Sequence, residues 1–456
     1  MKHEWLAVLL FLSPGWAGDL HVGRAAVKIT PPAGIPMAGY YSVRLAEGVH
    51  NDLYAKALVF ENDGVKAAMV ACDLVGVDHS IVEAARKAIE SSTGIRGSNV
   101  MISATHSHTG PLLNKRFLLA VQGAPLKIAQ QYIAALPVKI AESVKLAQAN
   151  LAPAEVRAGV GREESLSFNR RFLMKDGTVR FNPGKMNPEI VQPVGPIDPE
   201  VAVVYFESGG KPLATYVNFA LHLDTVGGAQ FSANYPYTLG SLLGKLKGPD
   251  MLTMFTIGTA GNINHVDVKS RDPQKGPGEA ARIGTVLAGE VLKTYTRLRP
   301  VKGDAVRVKR EIADLPLPKL EPDAGAKARA LAAKFGKPDQ PPFLEMVNAL
   351  KVLDVIDRDG RPLSAEVQVI ALGDDIAWVG LPGEIFVELG TAIKKASPFS
   401  HTIVVELANG SISYVPNRKA FGEGAYEVVS ARCASGCGEI LADTAIRLLT
   451  SLKRTP

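Results

Sequence analysis

KAAMVACDL (Lys66–Leu74) and NVMISATHSHTGP (Asn99–Pro111) are two apolar runs, and what separates them decides the fold. From Ser80 to Ser92 the residues Ile81, Ala84, Ala85, Ala88 and Ile89 recur at helical spacing. Strand, helix and strand in that order form a parallel unit, because parallel strands need a long crossover connection. The unit sets Asp73 and His106 at the C-terminal edges of neighbouring strands. Open α/β sheets carry their chemistry at that edge. If the strand runs on through His108, alternation puts both imidazoles on one face. Gly110 and Pro111 then turn the chain away.

The same alternation extends outward. YAKALVFE (Tyr54–Glu61) reads as a strand closed by the turn signal Asp63-Gly64. Gln130–Ala149 reads as a long amphipathic helix, and Asp176-Gly177 as a hairpin turn. PLATYVNFAL (Pro212–Leu221) is a strand leading into His222, and Met251–Ile257 is a further buried strand. Tyr237–Leu246 and Gly278–Leu298 read as helices. Ala324–Phe335, rich in Ala and Lys and flanked by prolines, is expected to be an exposed helical insertion near 320–345. Ala365–Leu372 and Ile376–Leu381 pair around Gly373-Asp374-Asp375, and Pro382-Gly383-Glu384 is expected to open a helix through Ala396. A strand at His401–Glu406 and a helix at Gly438–Leu452 follow. The expected class is α/β: mixed sheet layers flanked by helices, in a single large catalytic domain spanning residues 18–456.

Bulk properties agree with a globular protein. The 456 residues are 46% hydrophobic and 21% charged, enough for a large core. The net charge of +6 is scattered without a Lys/Arg run, so no nucleic-acid footprint is expected. Lys2, the eight-residue apolar stretch Trp5–Leu12, and the small residues Gly15 and Ala17 fit a signal peptide over residues 1–17. Glu4 is atypical so early. An exported protein, periplasmic or secreted, with at most peripheral membrane contact is therefore expected. Cys72 sits in an apolar run as a small core residue. Cys433 and Cys437 flank Ala-Ser-Gly and could close a small disulfide after export. A two-Cys metal knuckle is disfavoured, since no second Cys pair exists.

His106, His108, His222 and Glu384 all fall at strand ends. Two His, one carboxylate and an open position for water make a common catalytic zinc pattern. Each residue also has a plain reading: a hydrogen-bonded His pair, a core histidine at 222, and a first-turn helix carboxylate favoured by the macrodipole. There is no His-Glu-x-x-His motif.

The chain also resembles the neutral/alkaline ceramidases, zinc-dependent amidohydrolases of N-acyl sphingosines. The likeness rests on GRAAVKITPPAGIPMAGY (Gly23–Tyr40), GVHNDLYAKALVF (Gly48–Phe60), ATHSHTGP (Ala104–Pro111) and FNRR (Phe168–Arg171). NFALHLDTVGG (Asn218–Gly228), AGNIN (Ala260–Asn264), LPGEIFVELG (Leu381–Gly390) and SISYVPNRKAFGEGAYE (Ser411–Glu427) complete it. The resemblance implies Zn²⁺ ligands at His106, His222, Glu384 and Tyr414. From the bare sequence Tyr414 would be a strand-end core aromatic. The resemblance further implies that His108 acts on water or substrate, and that Arg170, with Arg171 as the fallback, faces the substrate; both arginines would otherwise be plain surface charges. Where the family has a catalytic serine this chain has Asn264, followed by His265 instead of proline, and Asn262 replaces the motif's aspartate. Asn51 and Asn234 also stand where relatives often carry Asp. Asn can donate to an oxyanion but cannot act as nucleophile or general base. No C-terminal immunoglobulin-like domain is expected. The implied substrate is a small-molecule or lipid N-acyl amide such as ceramide, cleaved by zinc-activated water. An ester substrate, or a non-catalytic binding protein on a degenerate scaffold, remains the alternative.

Overall fold

A computed structural model of the chain describes residues 20–453; the proposed leader at 1–17 lies outside the described residues. Strands β1 (His21–Lys28), β2 (Tyr54–Asn62) and β3 (Val65–Cys72) form an antiparallel meander. Asp63 and Gly64 close its second turn with φ of 47° and 75°, the paired left-handed geometry that matches strand twist. Helix α1 (His79–Thr93) crosses over to β4 (Val100–Ala104), which runs parallel to β3 from Ala68 opposite Val100 to Cys72 opposite Ala104. Helix α2 (Gly123–Ala149) packs beside α1 on the sheet's outer face.

A second sheet repeats the plan. Antiparallel β5 (Glu155–Arg162), β6 (Glu200–Ser208) and β7 (Lys211–Phe219) are followed by helix α3 (Tyr235–Lys247) and then β8 (Leu252–Ile257), parallel to β7. Helix α4 (Pro277–Tyr295) joins α3 on its outer face. The excursion between β5 and β6 contains the expected hairpin, Arg171–Met174 against Val179–Phe181.

The third sheet begins with β9 (Val306–Leu315), followed by helices α5 (Ala324–Ala332) and α6 (Phe343–Ile356). Strands β10 (Leu363–Leu372) and β11 (Ile376–Gly380) continue the antiparallel order. The short strand β12 (Glu384–Ile385) and helix α7 (Val387–Ala396) lead to β13 (His401–Val405), parallel to β11. Then β14 (Tyr414–Val415) pairs parallel to β12, and helix α8 (Cys437–Leu452) covers the outer face.

The three sheets meet in one inner core. Phe60 from β2 stacks on Trp378 from β11 with centroids 5.6 Å apart, and Tyr216 from β7 meets the same indole edge-on at 5.6 Å. All three side chains are fully buried. Aromatic contacts of this geometry add about 0.5–1.5 kcal/mol beyond area burial. Because one indole serves all three sheets, the layers form a single body, and the α/β expectation of mixed sheets flanked by helices holds.

Four expectations change in detail. The strand before the histidines stops at Ala104, and His106 lies in a loop with φ of 73°. Strand alternation therefore does not set the two rings. Glu384 does not open a helix; it belongs to β12, and α7 starts three residues later because Glu384 pairs with Tyr414. The segment Ala324–Phe335 is largely exposed, with only Ala328 and Phe335 buried, but it is followed by a second helix, α6, which buries Met346, Val347, Ala349, Leu350, Val352, Leu353 and Val355. Cys433 and Cys437 are free thiols, both buried in the core beneath α8. Among the described residues no helix is long and apolar enough to cross a membrane.

Candidate metal centre

The ends of parallel strands deliver the site. The backbone N–H of His106 donates to Leu74 O just past β3, and that of His108 donates to Leu223 O beyond β7. The loop holding both histidines is thus clamped between two sheets. Gly39, with φ of 98°, lies against this loop so tightly that a Cβ there would stand 2.4 Å from His108 O. His222 follows β7, Glu384 follows β11, and Tyr414 follows β13.

Hydrogen bonds fix how the rings point. His106 Nδ1 lies 2.7 Å from Val75 O, and His222 Nδ1 lies 3.0 Å from Ala260 O. A carbonyl only accepts, so each Nδ1 carries the proton and each Nε2 presents a lone pair. Those two Nε2 atoms face each other at 2.9 Å. His108 Nε2 stands 3.1 Å from His106 Nε2. Glu384 Oε2 is buried without a hydrogen-bond donor and lies 3.4 Å from both His106 Nε2 and His222 Nε2.

Burial, then the neighbouring His106, hold His108 well below the usual imidazole range and lower His222 as well. Burial opposes ionisation of Glu384, while positive charge at the His106 and His222 positions holds the carboxyl well below its ordinary range. Neutral imidazole lone pairs converging on a carboxylate oxygen repel one another unless a cation sits among them. This donor set fits a divalent metal. The buried cluster His106, His108 and His222 can therefore hold a metal ion, with their donor nitrogens within 4.8 Å of one another.

Around the cluster opens a cavity of about 720 Å³ lined by His106, His108, Glu384 and Tyr414 at its floor. Tyr40, Tyr41, Phe117 and Tyr426 form its aromatic walls. The volume suits a small organic ligand.

Not every residue singled out above reaches this cavity. Arg170 does not face it. Its guanidinium is buried behind Tyr414, donating to Glu427 Oε1 at 2.8 Å and Gly261 O at 2.8 Å. Arg171 is buried too, donating to Glu427 Oε2 at 2.9 Å. Asn264 is likewise turned away: its amide donates to Asn182 Oδ1 at 2.8 Å and accepts from Val266 N at 3.0 Å. Asn262 accepts from Val387 N and donates to Glu388, fastening the start of α7. Asn51 accepts from Ser232 Oγ and Ala233 N, and Asn234 caps α3. The asparagines at family acidic positions thus make neutral structural bonds.

Two acids that the sequence reading missed support the site. Glu406 is fully buried; its Oε2 accepts from Ala260 N at 3.1 Å and Ile385 N at 2.8 Å. It ties the peptide that orients His222 to the peptide following Glu384. Burial, with nearby Glu384, pushes the Glu406 carboxyl above the ordinary carboxylate range, against the Ala260 and Ile385 N–H donors that favour its charged form. Its signal in sequence was slight: one carboxylate ending the apolar run HTIVV. Glu406→Ala leaves two buried N–H groups without acceptors, at about 1–3 kcal/mol each. It should also weaken metal binding about 10–100-fold, the usual effect of losing an outer support. Glu406→Gln keeps the acceptor and should restore most of both, as read by thermal melts and metal titration.

The other newly seen feature is the His265–Asp224 pair. His265 Nδ1 meets Asp224 Oδ1 at 3.0 Å, and Nε2 meets Gln274 O at 2.7 Å. Both ring nitrogens face acceptors, so the buried ring is an imidazolium. Burial opposes that charge, but Asp224 overcomes it and raises the pKa above 6.5. A raised folded-state value adds stability that is complete below pH 6.5 and is lost as pH climbs through the folded value. Melting temperature of the wild type should therefore fall from pH 6 toward pH 9 more steeply than that of His265→Gln; equal slopes would contradict the pairing.

Fold and site together define the class: a layered α/β protein presenting a candidate metal centre at the ends of parallel strands. Residues 20–224 match the family described as "Neutral/alkaline non-lysosomal ceramidase, N-terminal". The neutral ceramidase of Pseudomonas aeruginosa is 28% identical over 225 residues, covering 47% of this chain and 32% of that protein. That of Mycobacterium tuberculosis is 28% identical over 213 residues, covering 44% and 32%. The matched segment thus spans about a third of either curated relative. The crystal structure of the Pseudomonas aeruginosa enzyme superposes with a TM-score of 0.73 at 19% identity, over 96% of this chain and 75% of that one. A ceramidase complexed with C2 gives 0.72 at 18% identity, over 96% and 76%. Over residues 20–224 the chain is thus similar to the N-terminal part of the neutral/alkaline ceramidases, and its fold as a whole matches theirs.

Proposed function

We propose that this chain is a zinc-dependent amidohydrolase that cleaves an N-acyl amide, ceramide or a related N-acyl compound. The observation that carries the reading is the meeting of the His106 and His222 Nε2 lone pairs with Glu384 Oε2 where His106 and Glu384 border the cavity. His106, His222, Glu384 and Tyr414 hold the metal. Zinc bound there supplies Lewis acidity, polarising a carbonyl and acidifying water.

The remaining steps belong to the protein's own groups. His108 lines the cavity as a neutral imidazole, and its Nδ1 is buried without a partner. From that position it can donate to, or accept from, the attacking water or the amide oxygen. Arg170 acts as a positioning residue, holding Tyr414 from behind, while Glu427 holds Arg170. Asn264 keeps the segment before His265 in place. Since its side chain is turned from the cavity, replacing the family's serine removes no group from the floor, which favours an enzyme over a binding protein. We also read the chain as exported, on the Trp5–Leu12 stretch, with at most peripheral membrane contact.

A panel of ceramide, simpler N-acyl amines and the matching esters, given to the zinc-loaded protein, tests this reading. Amide cleavage with chelator-sensitive turnover is expected. Ester cleavage alone would redirect the substrate. Lipid binding without any turnover would leave a binding protein.

A further inference from the structure

One wall of the cavity carries more positive charge than its neighbours neutralise. It is built by the end of α6 and the turn that follows. Five cations stand there, Arg116, Lys351, Arg358, Arg361 and Arg432, against three carboxylates, Asp354, Asp357 and Asp359; Arg358, Arg361 and Arg432 line the cavity together with Asp354, Asp357 and, from the facing loop, Asp78. Arg116 pairs with Asp354 and Asp357, and Arg432 donates to Asp354 at 2.9 Å. Asp354 and Asp357 are thereby engaged by Arg116 and Arg432. Among the described residues, Lys351, Arg358 and Arg361 make no ion pair. Arg358 Nη1 reaches only Pro362 O at 3.3 Å, and Arg361 Nε only Arg358 O at 3.0 Å.

Arg358 and Arg361 line the same cavity as His108 and Glu384. The C-terminal end of α6 favours cations, which accounts for one positive charge there. It does not account for two arginines with spare donors directed at a substrate cavity. Burial lowers Arg358 from its ordinary value, Asp354 opposing this and the neighbouring Arg361 adding to it. Two forked guanidiniums with unused donors match a carboxylate or a phosphate.

Building on the amidohydrolase reading, we propose that the preferred substrate is an N-acyl compound whose polar part carries an anionic group, a carboxylate or a phosphate, held by Arg358 and Arg361. The hydrocarbon part lies against the aromatic wall of Tyr41, Phe117 and Tyr426, and the amide falls between them over the histidines. A neutral headgroup leaves the arginines without a partner.

The test uses the full zinc-loaded chain and three amides sharing one acyl chain: N-dodecanoylglycine, N-dodecanoylphosphoethanolamine and neutral N-dodecanoylethanolamine. One or both anionic amides should exceed the neutral one in kcat/KM by about 10–100-fold. Which of the two leads distinguishes carboxylate from phosphate. The advantage should shrink as salt rises. In Arg358→Met/Arg361→Met the ratio of anionic to neutral kcat/KM should collapse toward one, mainly through KM. Equal rates on all three amides in the wild type overturn the proposal while leaving the amidohydrolase reading intact. No hydrolysis of these amides or of ceramide overturns that reading, and this proposal with it.

Discussion

If the chain is the zinc amidohydrolase proposed, His106→Ala is expected to abolish metal binding and to cost about 10³–10⁴-fold in amide hydrolysis, the scale of the several kcal/mol that a Lewis acid contributes. His106 stands at the centre of the cluster. Its Nε2 is within 3.4 Å of donor atoms on His108, His222 and Glu384. Its ring cannot turn away, because Nδ1 donates to Val75 O and the ring is buried. The φ of 73° that aims it is unusual for a residue other than glycine, and such geometry persists only where the surroundings enforce it. Alanine removes the donor nitrogen and leaves the scaffold. His108→Ala should separate the two roles: it should retain metal while losing about 10²–10³-fold in kcat, as when one oxyanion donor is removed. Parallel metal analysis and kinetics on the two variants check this. Equal metal loss in both would make His108 a ligand.

The second large effect is on stability. Glu427→Ala should destabilise the fold by about 3–5 kcal/mol, because it strips the counter-ion from buried cations. Glu427 is fully buried and takes Arg170 Nε at 2.8 Å and Arg171 Nη1 at 2.9 Å. Arg171 keeps Glu423 at 3.1 Å, but Arg170 has no other carboxylate within ion-pair distance among the described residues. Arg170 also bonds Gly261 O and backs Tyr414. The loss should therefore reach the metal site and weaken metal binding. Glu427→Gln retains hydrogen-bonding oxygen and should fall between wild type and alanine. Denaturant midpoints read the first effect, and metal titration the second. A Glu427→Ala variant as stable as wild type would contradict the structural role given to the pair.

How much of this was legible in the sequence depends on the range of the cause. The β3–α1–β4 unit was, because apolar strand runs and helical spacing are local patterns and one helix between two strands dictates the parallel crossover. His106 and His108 were visible as chemistry, but the loop that aims them was not. Its conformation follows from bonds to Leu74, Val75 and Leu223 on other strands. Glu384 was read as a helix start because Pro-Gly-Glu resembles one. The pairing with Tyr414 that makes it a strand joins residues thirty apart. Tyr414 itself came only from the family resemblance. Buried as it is, its pattern is that of a core aromatic. Arg170, Arg171, Glu406 and Glu427 were opaque for the same reason: a charge is assigned to the surface until its distant partner is known. Gly261 belongs here too. A Cβ there would lie 2.5 Å from Glu384 O, so the glycine of AGNIN lets the Glu384 strand close on the site.

The central claim is that the His106–His222–Glu384 cluster is a catalytic metal centre. It is tested most directly by following metal content and amide hydrolysis together while the purified protein is stripped with chelator and titrated with zinc. The account predicts that turnover disappears with the metal, returns in proportion to zinc added, and saturates at about one ion per chain. Undiminished turnover by metal-free protein, or no uptake of zinc at neutral pH, would contradict it.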